Sequence, residues 1–155
     1  MTEEGELSLA FRIRCQPEVL TLPAPLPSGP ADGLWQHTCC EAFVMEDGSA
    51  YREFNFSPSG QWAAYRFTGY REPDTAFVPV AQPRLVLSLL DDGLALDATL
   101  PAGLLPSGNR LHIGLSAVIE AADGGKSYWA LAHGAAQPDF HLRQSFVLTL
   151  NRHTP

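Results

Sequence analysis

Apolar residues recur at every second position through most of this chain, and that period restricts its fold more than any other feature. Leu7, Leu9, Phe11, Ile13 and Cys15 fall on one side of an extended strand. No stretch carries the three-to-four spacing of an amphipathic helix of normal length. Thr38 to Met45, "TCCEAFVM", is a second strand stopped by the turn "EDGS". "PRLVLSLL" and "LALDATL" flank Asp91 to Gly93 as a short hairpin, and "NRLHIGLSAVIEA" and "SYWALAH" flank "ADGGK" as another. "SFVLTLN" closes the chain as a strand. Leu22 to Gly33 holds four prolines and two glycines and reads as a surface crossover loop. About nine strands at this spacing predict an all-β sandwich or barrel, and the form preferred here is an antiparallel, jelly-roll-like β-sandwich. Its core should include Phe54, Phe56, Phe67, Leu87, Leu89, Ile113, Leu115 and Leu148. The first and last strands, both strongly apolar, are expected to pair or pack near each other.

Length and composition fit that reading. One domain of 155 residues can bury about two thirds of its unfolded surface, so residues 1–155 are read as a single unit. With 45% hydrophobic and 17% charged residues the chain is globular, and 13 glycines with 13 prolines supply the turns. A net charge of −7 offers no basic stripe for phosphates, which argues against nucleic acid and anionic membranes as partners. An acidic N-terminus without an apolar run gives no secretory signal, so a cytoplasmic location is expected. No run of residues is apolar enough to span a bilayer. Cys15, Cys39 and Cys40 form neither a CxxC pair nor an even framework and read as reduced thiols.

The hairpin "YREFNFSPSGQWAAYRF", Tyr51 to Phe67, is where pattern turns toward function. A four-residue loop, Ser57 to Gly60, sets Phe56 opposite Gln61 and Asn55 opposite Trp62. One face then carries Phe54, Phe56, Ala63, Tyr65 and Phe67, with Arg52 at its margin. Its opposite carries Tyr51, Glu53, Asn55, Trp62, Ala64 and Arg66. Acid, amide, guanidinium and indole on one face suit a sugar, whose C–H surfaces pack on rings while its hydroxyls need polar partners. Ordinary cross-strand pairs on a solvated face, such as Tyr51 beside Arg66, explain the pattern equally well. Glu41, in mid-strand between Cys40 and Ala42, favours the first reading, because a mid-strand carboxylate must reach water or a partner.

"LWQHTCCEAFV", "YREFNFSPSGQWAAYRFTGYRE" and "YWALAHGAAQPDFHLRQSFVLTL" together resemble the DOMON-like domains related to the family-9 carbohydrate-binding modules, from about Leu34 to Leu150. The resemblance implies a β-sandwich whose concave face and end loops hold a sugar or, in other branches, a haem. It matches Trp35 to a stacking tryptophan and Glu41 to a hydroxyl-binding glutamate. Asn55 or Glu53 matches a polar contact on the next strand, and Trp129 or His133 a closing aromatic. Carboxylates of the calcium site found in secreted modules have no evident counterpart here, and no metal is expected.

Other chemistries were weighed on the residues themselves. His133, Asp139 and His141 lie in one loop region, but two histidines eight positions apart match no common metal spacing, so ligand contact or structural bonding is expected of them. "SPSGQ" is no GxSxG elbow. Glu41 and Glu53 on adjacent strands could form a glycosidase pair. A haem would need Met45 with His37, His112 or His133 as axial ligands. The preferred reading is a non-catalytic module for a small-molecule or oligosaccharide ligand. Its contacts are Trp35, His37, Glu41, Glu53, Asn55, Trp62, Arg66, Trp129, His133 and His141, and it needs no cofactor.

Overall fold

A computed structural model describes residues 5–152. Its eleven strands are β1 (Leu7–Arg14), β2 (Gly29–Pro30), β3 (Cys39–Met45), β4 (Tyr51–Phe56), β5 (Gln61–Gly69), β6 (Glu72–Pro73), β7 (Arg84–Leu90), β8 (Gly93–Leu100), β9 (Arg110–Glu120), β10 (Lys126–Ala130) and β11 (Leu148–Asn151). Two of these have only two residues, and the other nine are the strands that alternation predicts. Among the described residues the helical segments are short 3-10 turns.

The strands form two sheets. A small one has the order β1-β8-β7, and a large one the order β10-β9-β3-β4-β5-β2, with β11 on β9 and β6 on β5. Pairing is antiparallel throughout except for the short β2–β5 contact. Leu7, Leu9, Leu94, Leu96, Ala98 and Leu100 of the small sheet meet Cys40, Ala42, Val44, Phe54, Phe56 and Ile113 of the large one in a single core. Alternation therefore does what it must: every second residue of each sheet leaves water on the same side. The fold is an all-β sandwich.

β1 reaches its partner from far away in sequence, Leu7 lying opposite Leu100 and Arg14 opposite Gly93. At that end the backbones crowd, for a Cβ on Gly93 would stand 1.9 Å from the Ile13 carbonyl oxygen, and Gly93 itself has φ +140°. Only glycine fits there.

Several expected core positions are not buried. Leu87 is 37%, Leu89 71% and Leu148 44% exposed, whereas Phe54, Phe56 and Ile113 are buried and Phe67 and Leu115 half-buried. β7 is the edge strand of the small sheet and β11 pairs only with β9 at the margin of the large one, so both keep apolar side chains in the open. β1 and β11 do not pair either, although Leu150 packs against the core that holds Leu7 and Leu9. Cys15, Cys39 and Cys40 are free thiols, and burial pushes Cys40 up to about 12.

Candidate functional site

The central hairpin adopts a different register from the expected one, and the turn explains it. Ser57 N–H donates to the Gln61 carbonyl at 3.0 Å, Gly60 N–H donates to the Ser57 carbonyl at 3.0 Å, and Gly60 has φ +94°. This is a three-residue loop with a left-handed glycine, so Phe56 faces Trp62 and Asn55 faces Ala63. A one-residue change moves a whole strand to its other face. Trp62 and Arg66 therefore project with Phe54 and Phe56 on the inner side of the large sheet, not with Glu53 and Asn55. Tyr65 and Phe67 take their places on the outer side. Trp129 is likewise misassigned, since it lies opposite Ala117, which faces inward, and its neighbour Tyr128 opposite Val118 shares the outer face.

What remains on the outer face is a buried polar row. Ser116, Glu41, Asn55 and Ala63 are cross-strand neighbours on β9, β3, β4 and β5. Glu41 is 3% and Glu53 6% exposed, and Asn55 is sealed completely. Ser116 Oγ donates to Glu41 Oε2 at 2.8 Å. Neither the amide nitrogen nor the carbonyl oxygen of Asn55 makes a well-aligned hydrogen bond, although the amide is close enough to the Glu53 carboxyl to favour its charged form. Burial, reinforced by the neighbouring Glu53 charge, pushes Glu41 up to about 8, and burial pushes Glu53 up to about 7.

Two chain segments border this row. Residues 31–37 cross one end of the face: Tyr65 Oη donates to Asp32 Oδ1 at 2.8 Å on the β5 side, and His37 Nδ1 lies 2.8 Å from Glu120 Oε2 on the β9 side. Between these anchors Trp35, 52% exposed, rides on a 3-10 turn that touches β3, β4 and β5. Residues 131–147 cover the other end. There Phe43, Tyr51, Met45 and Phe146 form a second apolar cluster, with Tyr51 stacked on Phe67 at 4.7 Å. His141 inserts among these rings, 5.2 Å from Phe43 and 5.1 Å from Phe67. Its Nδ1 is 2.7 Å from Tyr51 Oη and its Nε2 3.7 Å from Glu53 Oε2. Tyr51 Oη also accepts the Arg71 N–H at 3.2 Å. Burial, then the Arg71 charge, hold His141 down to about 4, so it is neutral at pH 7.

Asp139 fixes this covering segment. It accepts from Tyr70 Oη, from Arg71 Nη2 at 3.0 Å and from the His141 N–H at 3.1 Å. Arg71 holds its part of this arrangement at φ +55°, a left-handed conformation that a residue with a Cβ adopts only under constraint. At the β10 margin His133, Phe140 and Tyr128 stand ring beside ring at 6.1 and 6.5 Å.

The structure thus brings Trp35, His37, Glu41, Glu53, Asn55, His133 and His141 to one face or its borders, and leaves Trp62, Arg66 and Trp129 on the other. Ser116, Tyr65 and Tyr128 belong to the face and escaped the sequence reading. Tyr65 was recoverable from the glycine of the turn, Tyr128 from strand parity, and Ser116 only from the β3–β9 pairing. Residues weighed as haem ligands form no opposed pair. Met45 and His112 lie side by side on neighbouring strands, His37 meets Glu120, and His133 meets Phe140. Among the described residues no three His, Cys, Asp or Glu gather as metal ligands, and no helix is long and apolar enough to cross a membrane.

No protein-family model matches the chain, and no curated protein matches it. Among solved structures, the chain is similar to the crystal structure of a "putative carbohydrate-binding protein" from Bacteroides uniformis ATCC 8492. The TM-score is 0.69 at 15% identity, over 97% of this chain and 74% of that one. At that identity the likeness shows a shared fold.

Proposed function

We propose that the outer face of the large sheet binds a hydroxylated, uncharged ligand, a saccharide or sugar conjugate, without turning it over. The observation that carries this reading is the Asn55 side chain, fully buried beside Glu41 and Glu53, where neither polar atom makes a well-aligned hydrogen bond and only the Glu53 carboxyl lies close enough to interact. An under-paired buried amide costs about 1–3 kcal/mol, and a ligand hydroxyl that both donates and accepts relieves it once the side chains over the row part to admit it. The raised carboxyls suit the same partner, since a protonated acid donates to a hydroxyl with no charge to desolvate. Trp35 on one border and Tyr128 on another offer ring faces for C–H surfaces. The likeness to a protein named for carbohydrate binding agrees with this assignment.

Binding is favoured over hydrolysis by the carboxyls themselves. A glycosidase pair needs one acid and one carboxylate at working pH, hence environments that push their pKa values apart. Glu41 and Glu53 are both pushed the same way by burial.

Glycan-array screening followed by calorimetry tests the reading. Trp35→Ala should weaken the saccharide hit by about 1–3 kcal/mol with the fold intact. Asn55→Leu should abolish binding while leaving thermal stability unchanged or higher, because an orphaned amide is then gone. No hit on the array, or turnover of chromogenic glycosides that Glu41→Gln removes, would overturn the proposal.

A further inference from the structure

On the inner side of the large sheet, at the end away from the polar row, three arginines gather without enough acid to match them. Arg52 and Arg66 are direct cross-strand partners on β4 and β5. Like charges in that position repel and are ordinarily avoided. Both guanidiniums also lie over one ring, Phe77, at 5.4 and 5.7 Å from its centroid. Arg152, just past β11, has Nε and one Nη buried with no hydrogen-bond partner.

Two carboxylates serve this cluster, and each is already engaged. Arg66 Nε donates to Asp74 Oδ2 at 2.7 Å, and Asp74 Oδ1 also accepts the Ala76 N–H at 3.0 Å. Glu46 Oε2 accepts the Gly108 N–H at 2.7 Å. Arg52 reaches only the Gly103 carbonyl, at 3.4 Å. Partial burial, followed by the charges of Arg66 and, behind Glu46, Arg152, depresses Arg52 below the ordinary arginine value. Beside Arg52 and Arg66 opens a cleft of about 360 Å³ at the end of the sheet, bordered also by Glu46, Tyr51, Phe67, Thr68, Pro106 and Ser107.

We propose that this cleft is an oxyanion site, taking a phosphate group either as the free ion or on a small monoester. Its logic is independent of the outer face, since Arg52 and Arg66 point to the opposite side of the sheet from Glu53 and Tyr65. Guanidiniums gathered this closely repel one another, and an anion beside them completes the set. Arg52, held over the Phe77 ring, presents a fork of donors suited to phosphate oxygens, and Arg66, whose Nε and Nη2 go to Asp74, adds its remaining Nη. Arg152, whose charge acts on Arg52, adds buried unpaired N–H groups near the cluster. The cleft has room for more than a bare ion, and Ser107 adds a hydroxyl at its border.

The test is isothermal titration of the whole chain with inorganic phosphate at constant ionic strength, repeated with sulfate and with glycerol 2-phosphate. Saturable one-to-one binding of phosphate, displaced by sulfate, is the expected result. Tighter binding of glycerol 2-phosphate would assign the site to monoesters, and equal binding to the free ion. Arg52→Gln and Arg152→Gln should each weaken phosphate about tenfold or more, while Arg12→Gln, at the remote Asp97 pair, should not. Arg52→Gln should also raise the Tm in phosphate-free buffer, because it removes one of two facing like charges, an effect opposite to that of losing a structural arginine. Absence of saturable heat in the parent protein, or unchanged phosphate affinity in both the Arg52 and Arg152 variants, would overturn the assignment.

Discussion

Raising the pH from 6.5 to 8 is expected to lower folding stability by about 2 kcal/mol, each pH unit per unmatched proton weighing about 1.4 kcal/mol. The cause is Glu41 and Glu53. Their folded values, about 8 and about 7, lie above the ordinary 4.5, so between these limits the folded state binds protons that the unfolded state has released. Stability therefore falls as pH rises, first with Glu53 and then with Glu41, and the fall ends above about 8. His141 acts in the opposite sense. Held at about 4 against an ordinary 6.5, it stays neutral in the fold while the unfolded chain takes up a proton, so between 4 and 6.5 its contribution grows with pH. That growth offsets about half of the carboxyl slope below 6.5, and the steepest decline should begin there. Urea unfolding at pH 5.5, 6.5, 7.5 and 8.5 measures the profile. Glu41→Gln keeps an acceptor for Ser116 and should remove the larger part of the loss above 6.5. Stability that is level or rising from 6.5 to 8 would mean that water reaches these carboxyls freely.

Phe54→Ala should remove about 3–5 kcal/mol, enough to leave a domain of ordinary stability close to unfolded. Phe54 is fully buried in the middle of the large sheet. Its cross-strand neighbours on that face are Ala42 on β3 and Ala64 on β5, so the ring fills the space that two methyl groups leave. Neither alanine can extend into the cavity that truncation creates, and the adjacent Phe56 ring, parallel at 6.5 Å, is fixed by its own packing against Phe11 at 6.2 Å. Collapse is poor at such a site, which sets the expected loss at the upper end of the range. Phe67→Ala, at a half-buried ring on the outer face, should cost less. A shift in urea midpoint at constant slope reads both effects, and a loss under about 1 kcal/mol at Phe54 would contradict the packing of the two sheets.

Strand positions were legible because alternation is a local property, and every long strand was read at or near its place. Side assignment was not, because it depends on turns. At Ser57 to Gly60 the glycine in the left-handed region shortens the loop by one residue, and the error carried through Trp62, Ala63, Ala64, Tyr65, Arg66 and Phe67 at once. Glu41, Glu53 and Asn55 kept their face because β4 precedes that turn. Ser116 joins Glu41 through a pairing of strands 75 positions apart, which no local pattern encodes. Burial at Leu87, Leu89 and Leu148 failed for another reason, since strand sequence gives no sign of which strands will lie at a sheet's margin.

The pairing of β1 with β8 also bears on the order in which the protein assembles. β4–β5, β7–β8 and β9–β10 are hairpins that close over a few residues, whereas β1 must return across about 80 residues of chain before its first contact with β8 forms. Such a strand gains its contacts late, after β8 has its partner β7 and the large sheet offers a surface to dock on. Leu9→Ala should then accelerate unfolding and leave the refolding rate nearly unchanged, a chevron with one arm displaced. The tight approach of Ile13 to Gly93 sits at the end of this late strand, so it acts as a latch on the finished sandwich, and native lifetime rather than folding speed is what depends on it.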